Sequence, residues 1–344
     1  MKKLKIRVGI AGLGVVGLKR KKFIEENKLF KLVALCDKKI KPQLSASQAF
    51  FNDPFEMIST QELDAIFVCL TNDIAPRVVE FALNQGLHVF CEKPPGRNIE
   101  DIKSIIGIEK NSPKLKLMYG FNHRFHKSIV KAKEIIDSKK LGSIINMNGM
   151  YGKSQIITFN QDDWRTKREI SGGGVLLDQG IHMVDLMRFF SGEFEEIYSF
   201  VNNDFWGFEV EDNAYALMKT QDGIVAMLHS SATAWKHNFS LSINLEKGAL
   251  LLSGILSGSK SYGEELLTII EADVLNDQGN PNEVTYKYNE DPSWKLEVDE
   301  FCNSIIEDKQ ILHGSSSEAL KTMETVFKIY YNDELWRNKY KIEI

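Results

Sequence analysis

A carboxylate, an imidazole and an ammonium stand in this chain at places that suit proton and hydride chemistry. Asp178 and His182 are four residues apart in the stretch GGGVLLDQGIH. On a helix that spacing puts both side chains on one face. Histidine is the side chain whose ordinary pKa lets it take and return a proton near neutral pH. His182 therefore reads as a general acid/base, with Asp178 orienting it or holding a ligand hydroxyl. Lys93, in CEKPPG, brings a cation able to hold an oxygen and to stabilise a developing alkoxide. Such a set is what removing hydride from a secondary alcohol requires. Taken singly, each residue has a blander reading. His182 is then a core histidine, Asp178 a paired surface acid, and Lys93 a solvated loop lysine.

The N-terminal segment supplies a second motif. VGIAGLGVVG contains Gly12, Gly14 and Gly17 in the G-x-G-x-x-G pattern, after an apolar strand-like run and before a helical stretch. The first glycine allows the tight turn, the second admits a pyrophosphate to the backbone, and the third lets helix and strand pack closely. The backbone from Gly12 through Leu13, Gly14, Val15 and Val16 is the expected cradle. Asp37 ends the next apolar run, twenty residues after Gly17. A carboxylate there accepts from ribose hydroxyls and repels a 2′-phosphate, which favours NAD. Lys38 and Lys39 follow it and leave NADP open.

The elements that must position these residues follow from periodicity. Apolar runs at 5–11, 31–37, 63–70, 88–94 and 116–121 read as strands. The stretches between them at 15–27, 76–86 and 99–110 read as helices. That alternation predicts an α/β domain, a doubly wound parallel Rossmann sheet over 1–123. Over 124–344 the rhythm changes. A helix from His126 and a strand, INMNGMYG, lead to a polar loop and a long helix from Val175 to Gly192. Six strand-like runs follow with little helix between them. They predict an α+β domain built on a large, open, mostly antiparallel sheet. Two helices close the chain and are expected to pack back toward the first domain.

The segments AGLGVVG, CEKPPG, YGFNHRF, DDWR and SGGGVLLDQGIHMVDL together resemble the Gfo/Idh/MocA oxidoreductases along nearly the whole chain. The resemblance implies an NAD-dependent enzyme acting on a ring hydroxyl of a sugar, polyol or nucleotide sugar. It makes Lys93, Asp178 and His182 the catalytic set and puts Glu92 beside the cofactor. It also puts Asn122 and Arg124 on the substrate cleft, with Trp164 and Arg165 on a loop entering the same region. Many relatives read T-P-N-x-x-H after the third strand. Here Thr71 is kept, Asn72 replaces the proline, and Pro76 stands at the histidine position. Backbone contacts from Thr71 and Asn72 to the cofactor are expected to survive. The resemblance further implies a homodimer or homotetramer formed through the C-terminal sheet, with side chains such as Leu217, Met227 and Leu245 facing the partner.

Bulk properties narrow the classes. A net charge of −4 over 344 residues leaves no basic footprint for nucleic acid. No run is apolar enough to span a membrane. The glycine-punctuated start continues into KRKK, unlike a secretory signal. Cys36, Cys69, Cys91 and Cys302 form no C-x-x-C pair and read as small buried hydrophobes, which suits the cytoplasm. The histidines show no metal-ligand spacing with a carboxylate partner, so no metal is expected. A dinucleotide- or sugar-sensing regulator on the same fold is the alternative, as is a lyase that oxidises its substrate transiently. A sensor has no need of the base.

Overall fold

The computed structural model describes residues 5–157, 163–257, 260–272, 279 and 281–344. In chain order the elements are β1 (Ile6–Ala11), α1 (Val15–Glu26), β2 (Phe30–Cys36), β3 (Ala49–Phe51), α2 (Pro54–Thr60), β4 (Ala65–Val68), α3 (Ala75–Asn84), β5 (His88–Glu92), α4 (Ile99–Lys110) and β6 (Leu117–Gly120). Next come α5 (Lys127–Asp137), β7 (Ile144–Gly152), α6 (Arg168–Ser171), a π-helical turn (Leu176–Gly180) and α7 (Ile181–Ser191). Seven strands follow: β8 (Phe194–Asn202), β9 (Asn213–Thr220), β10 (Val225–Ser231), β11 (Asn238–Leu245), β12 (Gly248–Ser253), β13 (Glu265–Glu271) and β14 (Asn282–Tyr288). The chain closes with α8 (Ser293–Ile306), α9 (Ser316–Asn332) and α10 (Glu334–Tyr340).

The chain divides into two compact units. One comprises Met1–Asn122 with Trp294–Leu320, the other His123–Ser293 with Lys321–Ile344. In the first unit six parallel strands run in the order β3-β2-β1-β4-β5-β6, the doubly wound Rossmann arrangement. Val8, Ile10, Ile66 and Phe67 are fully buried, because a parallel sheet is covered on both faces. Phe301 of α8 packs edge-on against Phe67 and Phe90, with centroids 5.4 and 5.8 Å away, which ties that late segment to the first sheet.

In the second unit eight strands run β14-β13-β12-β11-β7-β10-β9-β8. All neighbours are antiparallel except β7 and β10. Helix α7 packs on β7 and β10 where small residues make room. A Cβ on Gly149 would meet Met187 Cε at 2.5 Å, and one on Gly180 would meet Ser230 Oγ at 2.4 Å.

The structure corrects several boundaries. The helix expected from Val175 opens as a π turn and becomes α-helical only at Ile181. The final helix is two, because Asp333 caps a new one by accepting from Trp336 N–H at 2.8 Å. Strands β3 and β14 and helix α2 were not expected. Leu245, expected on a partner-facing surface, is only 4% exposed and faces the covered side of its sheet. Among the described residues no helix is long and apolar enough to cross a membrane. The four cysteines are free, and burial raises each thiol above its ordinary pKa.

One buried charge cluster holds α1, β5 and α8 together. Arg20, wholly buried, donates to Glu92 Oε1 at 2.6 Å and to Glu297 Oε2 at 2.5 Å. Its guanidinium lies 4.4 Å from the ring centroids of both Phe90 and Trp294. One cation faces two acids, so one carboxylate carries a charge that the arginine does not balance. Burial works against the Arg20 charge, but Glu297 and Glu92 outweigh it and the guanidinium stays charged. Burial pushes Glu297 from the ordinary 4.5 up to about 8, although Arg20 pulls it down. A raised acid favours its protonated form in the fold. Its contribution is present in full below pH 4.5 and is lost as pH rises to about 8. Glu297→Gln should therefore lose less stability than the natural chain between pH 5 and pH 8. Denaturant midpoints measured across that range check this, and parallel curves would refute it.

Candidate active site

The first unit presents a cradle for a dinucleotide. Gly12 has φ +94°, and a Cβ there would lie 2.2 Å from the Cys69 carbonyl oxygen, so only glycine fits this turn. A Cβ on Gly17 would sit 1.9 Å from the Gly12 oxygen, which is the close helix–strand approach expected of the third glycine. Gly14 differs, since nothing lies within 4 Å of the position its Cβ would take. It is the N-cap of α1, with no side-chain cap and no acidic residue in the first turn. The helix end therefore keeps its positive pole open to an anion. Beside it Val15 is 69% exposed, an apolar side chain placed where a bound ligand would cover it.

Asp37 anchors the rim of the cradle. Its Oδ2 accepts from Leu13 N–H at 2.7 Å, and its Oδ1 accepts from Lys39 and Ile40 N–H at 2.8 Å each. The carboxylate is half-buried, and Lys38 next to it is exposed. Thr71 donates to Asp73 Oδ1 at 2.6 Å and its carbonyl accepts from Ala75 N–H at the head of α3, with Asn72 buried beside it. Glu92 ends β5, where strand ends meet ligands in this fold, and Lys93 follows it; the Lys93-Pro94 bond is cis and Glu92 is held by Arg20. These features fit NAD. Gly12–Val16 could hold its pyrophosphate and Asp37 its adenosine ribose.

The second unit gathers the other candidates around its π turn. Glu211, fully buried, accepts from Gly174 N–H at 2.7 Å, from Leu176 N–H at 2.9 Å and from Tyr330 O–H at 2.7 Å. Burial raises its pKa, partly offset by those donors. The π turn it heads carries Asp178. Arg165 Nε lies 3.3 Å from Asp178 Oδ1, and its guanidinium stacks 4.4 Å from the Trp164 ring. Lys153, which sequence reasoning did not single out, reaches Asp178 Oδ2 at 3.0 Å. No motif marks that lysine, which stands out only by following β7. The ring of His182 stacks on His123, with centroids 3.7 Å apart and planes within 13°. His123 Nε2 lies 3.1 Å from the Tyr151 hydroxyl. Gln179 donates to Tyr262 O–H oxygen at 2.9 Å, and Tyr262 packs against Tyr151 and His237. Burial raises the Tyr262 phenol, with the Asp178 charge adding to it.

Two predicted residues have other surroundings. Arg124 is buried in a two-pronged ion pair with Asp185, at 2.8 and 2.6 Å, and lies over the Phe189 ring. Its fork is spent on Asp185 of α7, so it braces that helix. Asn122 is buried in the turn after β6 and belongs to the first unit. Of the DDWR segment, Asp162 lies outside the described residues. Among the described residues no cluster of His, Cys, Asp and Glu is arranged to hold a metal ion.

Comparison with known proteins agrees with both halves. Residues 6–121 match the model of an oxidoreductase family with an NAD-binding Rossmann fold, and residues 129–251 match the Gfo/Idh/MocA C-terminal domain. Myo-inositol 2-dehydrogenase of Thermotoga maritima is 27% identical over 244 residues, 67% of this chain and 69% of that enzyme. D-glucoside 3-dehydrogenase of Escherichia coli is 30% identical over 202 residues, 54% of each chain. The structure of levoglucosan dehydrogenase with NADH superposes with a TM-score of 0.82 at 18% identity, covering 96% of this chain and 98% of that one. The chain belongs to the Gfo/Idh/MocA oxidoreductase family, and residues 6–121 are that family's NAD-binding Rossmann domain.

Asp37→Ala should weaken NAD binding and narrow its margin over NADP, since the carboxylate both accepts from the ribose and repels a 2′-phosphate. Titration of each cofactor against protein fluorescence checks this. Tighter binding of NADP by the unaltered chain would refute it.

Proposed function

We propose that this oxidoreductase moves a hydride between NAD and a ring hydroxyl of a sugar or polyol. The observation that carries the reading is the arrangement at the π turn. It puts an imidazole and a cation-braced carboxylate on one helical segment, in a chain whose other unit binds the dinucleotide. The named relatives, an inositol dehydrogenase and a glucoside dehydrogenase, support a polyhydroxylated ring as substrate.

The roles divide by chemistry. When bound, the nicotinamide supplies the hydride acceptor. His182 takes the hydroxyl proton, and the stacked His123 fixes the plane of its ring. Asp178 accepts a hydrogen bond from a substrate hydroxyl. Lys93 provides the cation for the developing alkoxide. Trp164 and Arg165 form a wall of the substrate site, with the Trp164 ring as a face for sugar C–H groups. The free, buried cysteines support a reducing, cytoplasmic setting.

His182→Ala should cut turnover by about two to four orders of magnitude while leaving NAD affinity within about twofold. A panel of polyols and sugars followed at the NADH absorbance band supplies the assay. Near-normal turnover in the variant sinks the mechanism, and cofactor binding without turnover on any substrate would favour the sensor.

The second sheet carries an apolar face suited to a second copy of the chain. Across β8, β9 and β10 the register aligns Tyr198, Leu217 and Met227 in one row and Phe200, Tyr215 and His229 in the next. Tyr198, Phe200, Leu217 and Met227 are all exposed. Apolar rows of this extent on an open sheet favour burial against an identical row. Leu217→Lys with Met227→Lys should shift the mass seen by light scattering toward the monomer. A monomeric natural chain at micromolar concentration refutes the proposal.

A further inference from the structure

The surroundings of Asp178 assign work to a lysine outside every motif of the chain. Lys153 directly follows β7, and its backbone is pinned on both sides. Its N–H donates to the Ser231 carbonyl at 2.8 Å, and its own carbonyl accepts from Ala234 N–H at 3.0 Å. Its ammonium donates to the Ile156 carbonyl at 3.0 Å and to Asp178 Oδ2 at 3.0 Å. The Lys153 side chain keeps 7% of its exposure and that of Asp178 keeps 22%. The lysine therefore stands behind the carboxylate, which is the group a ligand reaches.

A buried ammonium is tolerated when it is paired and hydrogen-bonded, and this one has both kinds of partner. With Arg165 on the other oxygen, Asp178 has a cation at each end. A carboxylate braced in this way has little rotational freedom. That fixity suits it to receive hydrogen bonds from hydroxyl groups.

We infer that Lys153 is a positioning residue of the substrate site, locking Asp178 as a fixed, ionised acceptor for neighbouring hydroxyls of the substrate. The inference rests on the reaction proposed above. It leaves proton transfer to His182 alone and makes the Lys153–Asp178 pair a determinant of substrate binding.

The test compares Lys153→Met, Lys153→Arg and Asp178→Asn in the full-length chain. Lys153→Met should lower kcat/KM for the best polyol or sugar by about 10- to 100-fold, mostly through KM, the range expected for losing a charged hydrogen-bond partner. NAD affinity, read by fluorescence titration, should stay within about twofold, and Lys153→Arg should recover most of the loss. A merely structural lysine would lower the melting temperature without this split, and that result overturns the inference. So does a Lys153→Met chain with unchanged KM. Should Lys153→Met fail to fold, Lys153→Gln carries the same comparison. A natural chain that turns over no polyol or sugar sinks the reaction proposal instead. The lock is then judged by a double-mutant cycle on melting temperature. Coupled losses for Lys153→Met and Asp178→Asn uphold it, and additive losses overturn it.

Discussion

Glu211 enters the interior of the second unit as a carboxylate, and the way it is satisfied governs the helix that carries the candidate chemistry. Burying an acid is costly unless donors converge on it. Here three do, two of them backbone N–H groups at the head of the π turn and one the Tyr330 hydroxyl. Those same N–H groups are the ones a helix start leaves without intrahelical partners. One carboxylate thus meets its own demand and the helix's at once. The glycines before the turn follow from this closeness. A Cβ on Gly174 would fall 2.1 Å from the Glu211 carbonyl oxygen, and one on Gly173 would fall 2.4 Å from the Tyr330 hydroxyl. Gly173 and Gly174 are therefore packing requirements as much as a motif, while Gly172 supplies the left-handed cap of α6 at φ +79°. The turn it permits sets where Asp178 and His182 leave the backbone.

The cofactor half was legible because its constraints are local. A turn at positive φ, a close helix–strand approach and an acid ending the next strand follow one another at set intervals along the first β-α-β segment, and Gly12, Gly17 and Asp37 show them in order. The parallel sheet was legible for a related reason, since strands covered on both faces read as continuous apolar runs. Strand β14 was not, because nearly all its residues are exposed and it lies at the edge of its sheet. Strand β3 has three residues, too few to show a period.

The pairings around the candidate substrate residues were not legible, and the cause is a shared one. Arg124 and Lys153 are both basic residues, and sequence alone offers no reason to rank one above the other. Arg124 meets Asp185, whose two oxygens fit its fork, from 61 residues earlier. Lys153 meets Asp178 from 25 residues earlier, a pairing set by where β7 ends relative to the π turn. Which cation meets which acid is a property of tertiary packing, and no spacing rule encodes it. The break between α9 and α10 was missed in the opposite way. Its signal, Asp333 as a cap, is local but sits inside a stretch that is helical on both sides.

Charge pairing distinguishes the two units in a way that bears on their work. In the first, Arg20 sits between Glu92 and Glu297, and burial, with the Glu92 charge adding to it, raises Glu297 so that the cluster holds a proton across part of the neutral range. In the second, Asp178 has Lys153 on one oxygen and Arg165 on the other. The first arrangement suits a structural joint among α1, β5 and α8, because a neutral Glu297 lowers the cost of its burial. The second fixes a carboxylate by a cation at each oxygen, which under the proposed reaction suits an acceptor held still for hydroxyl groups.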